Sequence, residues 1–113
     1  MPEPFEELAS LDRLVHEPAR LAILTVLSAC ESADFLFLQR LTGLTKGNLS
    51  SHLSRLEEAD LIWIRKEFSG KKPRTIVGLK ERGRKAVDQH WERLEALRED
   101  TRKWRPVPNL GTP

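Results

Sequence analysis

The stretch Phe35–Asp60 constrains the fold more than any other part of the chain. Its spacing predicts two short helices joined by a tight corner. The first helix starts after Asp34, whose side chain can cap the first turn, and runs to Leu41 or Thr42. Gly43 then ends it, because glycine accepts the left-handed backbone found at helix ends. A short glycine-containing turn between two helices is typical of a helix-turn-helix.

The second helix of the pair, capped by Thr45, has two different faces. Leu49, Leu53 and Leu56 repeat at i, i+4 and i+7 and predict one buried stripe. The opposite face carries small hydrogen-bonding side chains, with no large apolar residue and no acid before Glu58. Such a face suits the major groove of DNA, although a serine-rich helix facing solvent would look similar. The residues expected at DNA are Thr45, Lys46, Gly47, Asn48, Ser50, Ser51, Ser54 and Arg55.

A β-hairpin is predicted directly after this helix. Residues 61–68 alternate as a strand, residues 69–73 form a turn, and residues 74–79 return as a second strand. Between positions 65 and 74 five basic side chains stand against one acidic side chain. A basic hairpin after a candidate recognition helix indicates a winged helix-turn-helix. The wing residues expected to hold phosphate or the minor groove are Arg65, Lys71, Lys72 and Arg74.

At this point the chain resembles a known family. The runs PARLAIL (residues 18–24), LTKGNLS (44–50) and LKERGR (79–84), with the hairpin between the last two, are similar to winged-helix transcriptional regulators of the MarR and ArsR groups. The resemblance covers about residues 8–98 and implies DNA binding by a homodimer. Two positions depart from the pattern. Asp60 replaces the usual glycine at the end of the recognition helix, and Lys80 replaces the usual threonine before the last helix.

The remaining segments predict a mainly α fold in which a winged helix is flanked by terminal helices. A helix is expected over 5–16 and a core helix over 18–30, followed by a loop over 28–34. The run Phe35–Leu38 is expected to lock the helix-turn-helix onto helix 18–30. A long helix over 82–103 completes one domain, residues 1–104, and residues 105–113 are expected to form a flexible tail.

The terminal helices are expected to form a dimer interface. A helix over 82–103 spans about 33 Å and must project beyond a compact winged body. Its apolar stripe, with the N-terminal helix beside it, is most simply buried against a second copy. The alternative is a monomer in which helices 5–16 and 82–98 pair within one chain. The interface residues expected are Phe5, Leu8, Leu11, Val87, Trp91, Leu94 and Leu97.

The charge distribution favours a nucleic-acid partner. Residues 1–45 carry three basic and seven acidic side chains, residues 46–85 carry eleven and five, and residues 86–113 carry five of each. The positive charge therefore lies on the helix-turn-helix and wing. No apolar run approaches the roughly 18 residues of a membrane span. The acidic N-terminus without an apolar segment argues against a signal peptide, and the single cysteine suits a reducing cytoplasm.

Metal binding, redox sensing and catalysis fit the sequence less well. Asp88-x-His90 resembles half of a metal site on the last helix of some ArsR-type sensors, but the other half is missing because Thr101 and Trp104 occupy the required positions. Cys30 has no companion cysteine and is interpreted as a structural thiol, with redox sensing as the alternative. The histidines lie in no nucleophile motif. No cofactor or metal site and no enzymatic activity is predicted.

The sequence thus predicts a cytoplasmic homodimer that binds a pseudo-palindromic site in double-stranded DNA and regulates transcription. Repression is the favoured mode, and the sequence leaves activation open as the alternative. The alternative is a winged-helix module that binds another protein, or an architectural protein that binds DNA without sequence preference. A small-molecule effector could bind between the helix-turn-helix and the dimer helices, but no residue identifies one.

Overall fold

The computed structural model describes residues 3–107, which form five helices and a three-stranded antiparallel sheet of order β1-β3-β2. The helices are α1 (Pro4–Ala9), α2 (Pro18–Ala29), α3 (Phe35–Thr42), α4 (Lys46–Glu58) and α5 (Glu81–Lys103), and the strands are β1 (Ala33–Asp34), β2 (Ile62–Ser69) and β3 (Lys72–Leu79). We call α4 the recognition helix and the β2–β3 hairpin the wing. Among residues 3–107, none of the five helices combines the length and the hydropathy that a membrane-spanning segment needs.

The core is built around α2, which packs against α3, α4, α5 and β3. Ile23, Leu24 and Leu27 of α2 are completely buried. Burying an aliphatic side chain of this size contributes about 1.5–3 kcal/mol, so these contacts hold the surrounding elements firmly. The residues that complete this cluster are Val15, Ala33, Leu38, Leu49, Leu53, Leu56, Leu61, Ile62, Val77 and Val87.

The helix-turn-helix is confirmed. The Asp34 carboxylate accepts a hydrogen bond from the Phe37 amide at 2.8 Å, and the Thr45 hydroxyl accepts one from the Asn48 amide at 3.1 Å. Gly43 ends α3 with φ = 70°. Each cap satisfies an amide that the first helical turn leaves without a partner, so the sequence itself fixes where both helices begin.

The expectation that the whole run Phe35–Leu38 packs onto α2 was wrong in part. Leu38 is completely buried, but Leu36 is 66% exposed and Phe37 39% exposed. The reason is helical geometry: successive residues point about 100° apart, so four consecutive side chains cannot face one neighbour. Phe35 is half-buried and packs against the core.

The recognition helix ends at Asp60, which takes up the left-handed backbone although the family pattern has glycine at this position. Asp60 has φ = 64°, and the Leu61 amide donates to the Leu56 carbonyl at 3.1 Å, which is the Schellman arrangement. The Asp60 carboxylate forms an ion pair with the Lys80 ammonium group. The two unusual residues therefore lie together, because Lys80 immediately precedes α5 where α5 passes the end of α4.

The wing is longer and its turn tighter than expected. The strands extend to Ser69 and from Lys72, so Gly70, with φ = 67°, and Lys71 alone form the turn that was expected over 69–73. Pro73 pairs with Phe68 inside the hairpin. Its other edge is open, because β1 pairs only with positions 76 and 77 of β3, and an open edge tolerates proline.

Strand β1 was missed, since its position fell inside the loop expected over 28–34. It has two residues, Ala33 and Asp34, and so offers no alternation to detect. Its pairing with β3 places the start of α3 beside the wing, which matters for the interface described below.

The N-terminal helix expected over 5–16 was also wrong, since α1 ends at Ala9. Residues beyond it form turns in which the Asp12 carboxylate accepts from the Leu14 amide at 2.9 Å. The Arg20 guanidinium donates to the carbonyls of Leu14 at 2.7 Å and Arg13 at 3.1 Å. These side-chain bonds take the place of helical ones. Leu11 and Val15 are nevertheless buried, so the apolar spacing reflected packing and not helix.

The last helix runs from Glu81 to Lys103, one residue earlier than predicted, and α1 packs along it. A Cβ atom at Gly83 would overlap the Leu61 carbonyl, so glycine lets the first turn of α5 lie directly against the start of the wing. Positions 105–107 have no regular secondary structure, and positions 108–113 of the expected flexible tail lie outside the described residues.

Candidate nucleic-acid interface

The recognition helix is anchored on one side and free on the other. Leu49, Leu53 and Leu56 are at most 3% exposed and fix its rotation about its own axis. The side chains expected to meet bases are all exposed, and within residues 3–107 none of them makes a side-chain hydrogen bond. Donors and acceptors are therefore available on a rigid support. These residues are Asn48, Ser50, Ser51, Ser54 and Arg55.

A groove of about 600 Å³ lies between the recognition helix and the edge of the wing. Lys46 and Ser50 line it from α4, and Lys72 and Arg74 line it from β3. The structure thus brings together predicted site residues that are more than 20 positions apart in sequence. The lining also includes the Asp34 carboxylate at the start of α3, but three cations against one carboxylate leave a net positive charge that suits an anionic chain such as a phosphate backbone.

Two of the predicted wing cations already have carboxylate partners. Arg74 forms an ion pair with Asp34 at 3.1 Å, and Arg65 forms one with Glu67 at 2.7 Å. The guanidinium of Arg65 also lies 4.9 Å from the centre of the Trp63 ring. The Phe37 amide, and after it Arg74, hold the pKa of Asp34 below its usual range. Arg65 and Arg74 therefore differ from the lysines of the turn.

Lys71 and Lys72 are exposed and form no ion pair with any residue in the described range. Lys66 was counted among the basic side chains of the hairpin but not among the expected DNA contacts. It too is exposed and forms no ion pair within residues 3–107. It could have been found from its alternation with Ile62 and Ile64, which places it on the face that leaves the core. The uncompensated charge of the wing thus comes from three lysines.

The other flank of the recognition helix contains a residue that the sequence analysis missed. Arg13 and Arg55 line one shallow cleft, on the side of α4 away from the wing. Arg13 is held there because its carbonyl accepts from the Arg20 guanidinium. No local signal marks Arg13, since it lies in the acidic first 45 residues and reaches α4 only through the fold.

His52 lies at the edge of the buried stripe and connects α4 to the start of α2. Its Nδ1 atom is 3.1 Å from the Arg20 guanidinium and 3.7 Å from the Glu17 carboxylate. Burial raises the pKa of Glu17, but hydrogen bonds from the amides of Arg20 and Ala19 and the charges of His52 and Arg20 outweigh it, so the pKa is lowered overall. His52 is therefore packed against protein groups.

The other histidines form a pair away from the recognition helix. His16 Nδ1 and His90 Nε2 are 3.0 Å apart and share one hydrogen bond. Burial, followed by the proximity of His16, lowers the pKa of His90. No group of three metal-ligating side chains occurs between positions 3 and 107. Cys30 is half-buried at the end of α2.

The residues expected in a dimer interface divide into two sets. Leu11, Val87 and Leu97 are buried within their own chain, and Leu94 is half-buried. Phe5, Leu8 and Trp91 remain 39–47% exposed. Part of the terminal surface is covered internally: Phe5 meets the Trp104 ring edge-on at 5.1 Å, and Trp91 donates to the Thr25 hydroxyl at 3.0 Å. Intrachain pairing thus occurs but leaves these three apolar side chains partly exposed.

A cleft of about 430 Å³ lies where an effector was considered, between the segment after α1, the end of α4 and the start of α5. Leu14, Ala59 and Leu61 form its apolar part, and Arg82 and Gln89 add polar groups. Its lining is mixed in character.

Comparison with known proteins agrees with this architecture. A family model described as a winged helix DNA-binding domain matches residues 19–97. The chain is 31% identical over 78 residues to the uncharacterized protein MJ0432 of Methanocaldococcus jannaschii, covering 69% of this chain and 85% of that protein. It is 32% identical over 91 residues to the transcriptional regulator YqjI of Escherichia coli, covering 74% of this chain but only 42% of YqjI.

Solved structures give the same picture. A transcriptional regulator homologue from Pyrococcus horikoshii superposes with a TM-score of 0.78 and 28% identity, covering 87% of this chain and 96% of that one. A MarR-family regulator from Silicibacter pomeroyi superposes with a TM-score of 0.61 over 93% of this chain and 67% of that one; at 22% identity this likeness concerns the fold. The chain therefore belongs to the family of winged helix DNA-binding domains and has the architecture of MarR-type transcriptional regulators.

Proposed function

We propose that this chain is a homodimeric transcriptional regulator that binds a specific pseudo-palindromic sequence in double-stranded DNA. The observation that carries the proposal is the outer face of the recognition helix. Its hydrogen-bonding side chains are exposed and uncharged up to Arg55, and the buried leucines behind them fix their direction. Reading base edges requires donors and acceptors held in this way.

In this mechanism the first two turns of the recognition helix enter the major groove. Asn48, Ser50 and Ser51 donate to and accept from base edges, and Ser54 and Arg55 contact bases or the adjoining backbone. Thr45, Lys46 and the free amides of the first turn contact phosphate, which favours the positive end of a helix. Gly47 has no side chain, and beyond its chain neighbours and its own helix backbone no atom of residues 3–107 lies within 4 Å of where its Cβ atom would stand, so the DNA backbone can approach this part of the helix closely.

The wing contributes charge. Lys71 and Lys72 contact phosphate without giving up an existing partner. Arg65 and Arg74 must exchange Glu67 and Asp34 for phosphate if they are to contribute, so their net effect on affinity is smaller. The groove between α4 and β3 supports the path of one DNA strand between the two elements.

Dimerisation is proposed through the apolar side chains that remain partly exposed on α1 and α5, namely Phe5, Leu8 and Trp91. Two-fold symmetry would place the recognition helices about 34 Å apart, one turn of the duplex. A dimer on such a site occludes the DNA beneath it, which favours repression. The cleft beside Leu14 and Leu61 is the proposed position for any small-molecule effector, because a ligand there would contact both the end of α4 and α5.

The test is selection of bound fragments from random duplex DNA at physiological salt, with the full chain. A pseudo-palindrome with half-sites about 10 base pairs apart is the expected result. Enrichment of no sequence, despite measurable binding, would instead identify an architectural DNA-binding protein. The absence of any duplex binding would favour the protein-interaction module.

The dimer has its own test, which is the molar mass by light scattering at micromolar concentration. Twice the 13.0 kDa chain mass is expected for the wild type. Leu8→Asp should give monomer with an unchanged far-ultraviolet spectrum. Leu41→Asp, which alters a 56% exposed leucine on α3, is the matched control and should remain dimeric. A monomeric wild type contradicts both the interface and the palindrome.

A further inference from the structure

The tip of the wing carries an aromatic side chain that the interface described above does not use. Phe68 is 74% exposed, more than any other large apolar side chain among residues 3–107. Pro73 lies directly across from it on the neighbouring strand. These two apolar rings thus form a cross-strand pair, and only the pair Ser69–Lys72 lies between them and the turn.

Strand alternation explains why these rings are exposed. Ile62, Ile64, Lys66 and Phe68 lie on one face of β2, because side chains alternate along a strand. Near the base of the wing this face is covered, and Ile62 is completely buried. Farther out the hairpin extends past the helices, so the same face becomes exposed at Phe68. A single exposed apolar residue is common on protein surfaces, so exposure alone indicates no partner.

The surroundings of Phe68 identify the partner. Lys66 shares its face, and Lys71 and Lys72 stand at the turn, each without an ion pair in the described part of the chain. The arginines of the opposite face are already paired with carboxylates. The charge around the rings is therefore positive and uncompensated. Its complement is a surface with anionic walls and an apolar interior.

The minor groove of DNA has this character. Its phosphate walls are about 6 Å apart, and stacked bases form its floor. Proteins that enter it use apolar side chains, phenylalanine and proline among them, to separate neighbouring base pairs partially. The groove between the wing and α4 supports the geometry, because Pro73 lines it together with Lys46 and Ser50 of the recognition helix.

We infer that Phe68, supported by Pro73, is a wedge that enters the minor groove beside each recognition-helix site and partially unstacks one base step there. This inference rests on the proposed DNA binding and adds a second source of sequence preference. Unstacking costs least at flexible pyrimidine–purine steps such as TA, and most in stiff A-tracts. The wing would therefore favour a flexible step at a position where no side chain contacts a base edge.

The experiment compares two duplexes that share the selected half-sites and differ only in the flanking minor groove, one with a TA step and one with an A-tract. Wild-type protein should bind the first about tenfold more tightly. Phe68→Ala should remove this preference while leaving the salt dependence unchanged, since no cation is lost. Phe68→Leu should retain most of the preference, because leucine also serves as a wedge.

A spectroscopic readout reports the step directly. 2-Aminopurine placed in the TA step brightens when its stacking is lost, so wild-type protein should raise its fluorescence and Phe68→Ala should not. Phe37→Ala, which removes an exposed phenylalanine outside the wing, is the control and should behave as wild type. Equal preference and equal fluorescence for wild type and Phe68→Ala would overturn the wedge while leaving sequence-specific binding intact. A wild-type protein that selects no sequence would overturn the proposed function as well.

Discussion

The recognition helix and the wing are neighbours on one surface, but they are held in different ways. Three buried leucines fix the helix along its length, and its outer face is mostly uncharged. The wing is held where β3 pairs with β1 and where Arg74 meets Asp34, and its tip carries lysines that have no ion-pair partner among residues 3–107. Hydrogen bonds to bases need fixed geometry, whereas attraction to phosphate tolerates motion. The difference teaches that selectivity and salt-dependent affinity can reside in separate elements.

The largest effect is expected from removing wing charge. Lys71→Ala combined with Lys72→Ala should weaken binding to all duplexes on the order of 100-fold at physiological salt. The slope of log K against log salt should fall by about 0.9 for each lost phosphate contact in each half-site. Titrations at several salt concentrations measure this. Arg102→Ala with Lys103→Ala removes equal charge from the end of α5 and should leave the slope nearly unchanged; an unaltered slope in the wing variant would show that the wing tip does not meet phosphate.

The two elements also differ in their glycines. At Gly78 in the wing a Cβ atom would overlap the Trp63 ring, whereas a Cβ atom at Gly47 of the recognition helix would have no neighbour within 4 Å in the described part of the chain. Gly78→Ala should therefore lower the free energy of unfolding by about 1–3 kcal/mol through overpacking. Gly47→Ala should raise it by about 0.5–1 kcal/mol through helix propensity. Urea denaturation measures both free energies of unfolding. Equal changes for the two variants would show that the two glycines do not differ in their packing.

A smaller and more selective effect is expected from the recognition helix. Asn48→Ala should lose about 1 kcal/mol or more on the selected sequence and much less on random DNA, because a lost base contact is felt only where the base is correct. Fluorescence anisotropy with both duplexes provides the comparison. Glu57→Ala, on the same helix but beyond its first two turns, is the control. Equal losses of affinity on both duplexes would show that Asn48 contacts the DNA backbone and not a base.

The smallest effect is expected where helix meets wing. Asp60→Gly relieves a left-handed backbone that is strained for a non-glycine residue, and it removes an ion pair with Lys80 that solvent screens, so the two changes oppose each other. The free energy of unfolding should be nearly unchanged. Lys80→Thr added to Asp60→Gly should then stabilise, because threonine caps α5. Marked destabilisation by Asp60→Gly alone would give the ion pair a larger role.

Local signals in the sequence were sufficient for the central elements. Caps at Asp34 and Thr45, the glycine at position 43 and the leucine stripe of α4 are determined within a few residues of one another, and the structure confirms them. The turns after Ala9 were unpredictable because Arg20 on another element takes up the carbonyls of residues 13 and 14. Likewise, the position of Arg13 beside Arg55 and the ion pair of Arg74 with Asp34 arise only when the chain folds.

Asp34 has three structural roles that together fix the wing relative to α3. It pairs with β3 as part of β1, caps α3, and forms the ion pair with Arg74. The wing is therefore tied to the helix that precedes the recognition helix, and the two cannot slide past each other freely. In the proposed complex with DNA, this connection would hold the major-groove contact of α4 and the neighbouring wing contact at a fixed offset along the duplex. Inserting or deleting one base pair between those contacts would then be tolerated less well than changing a base.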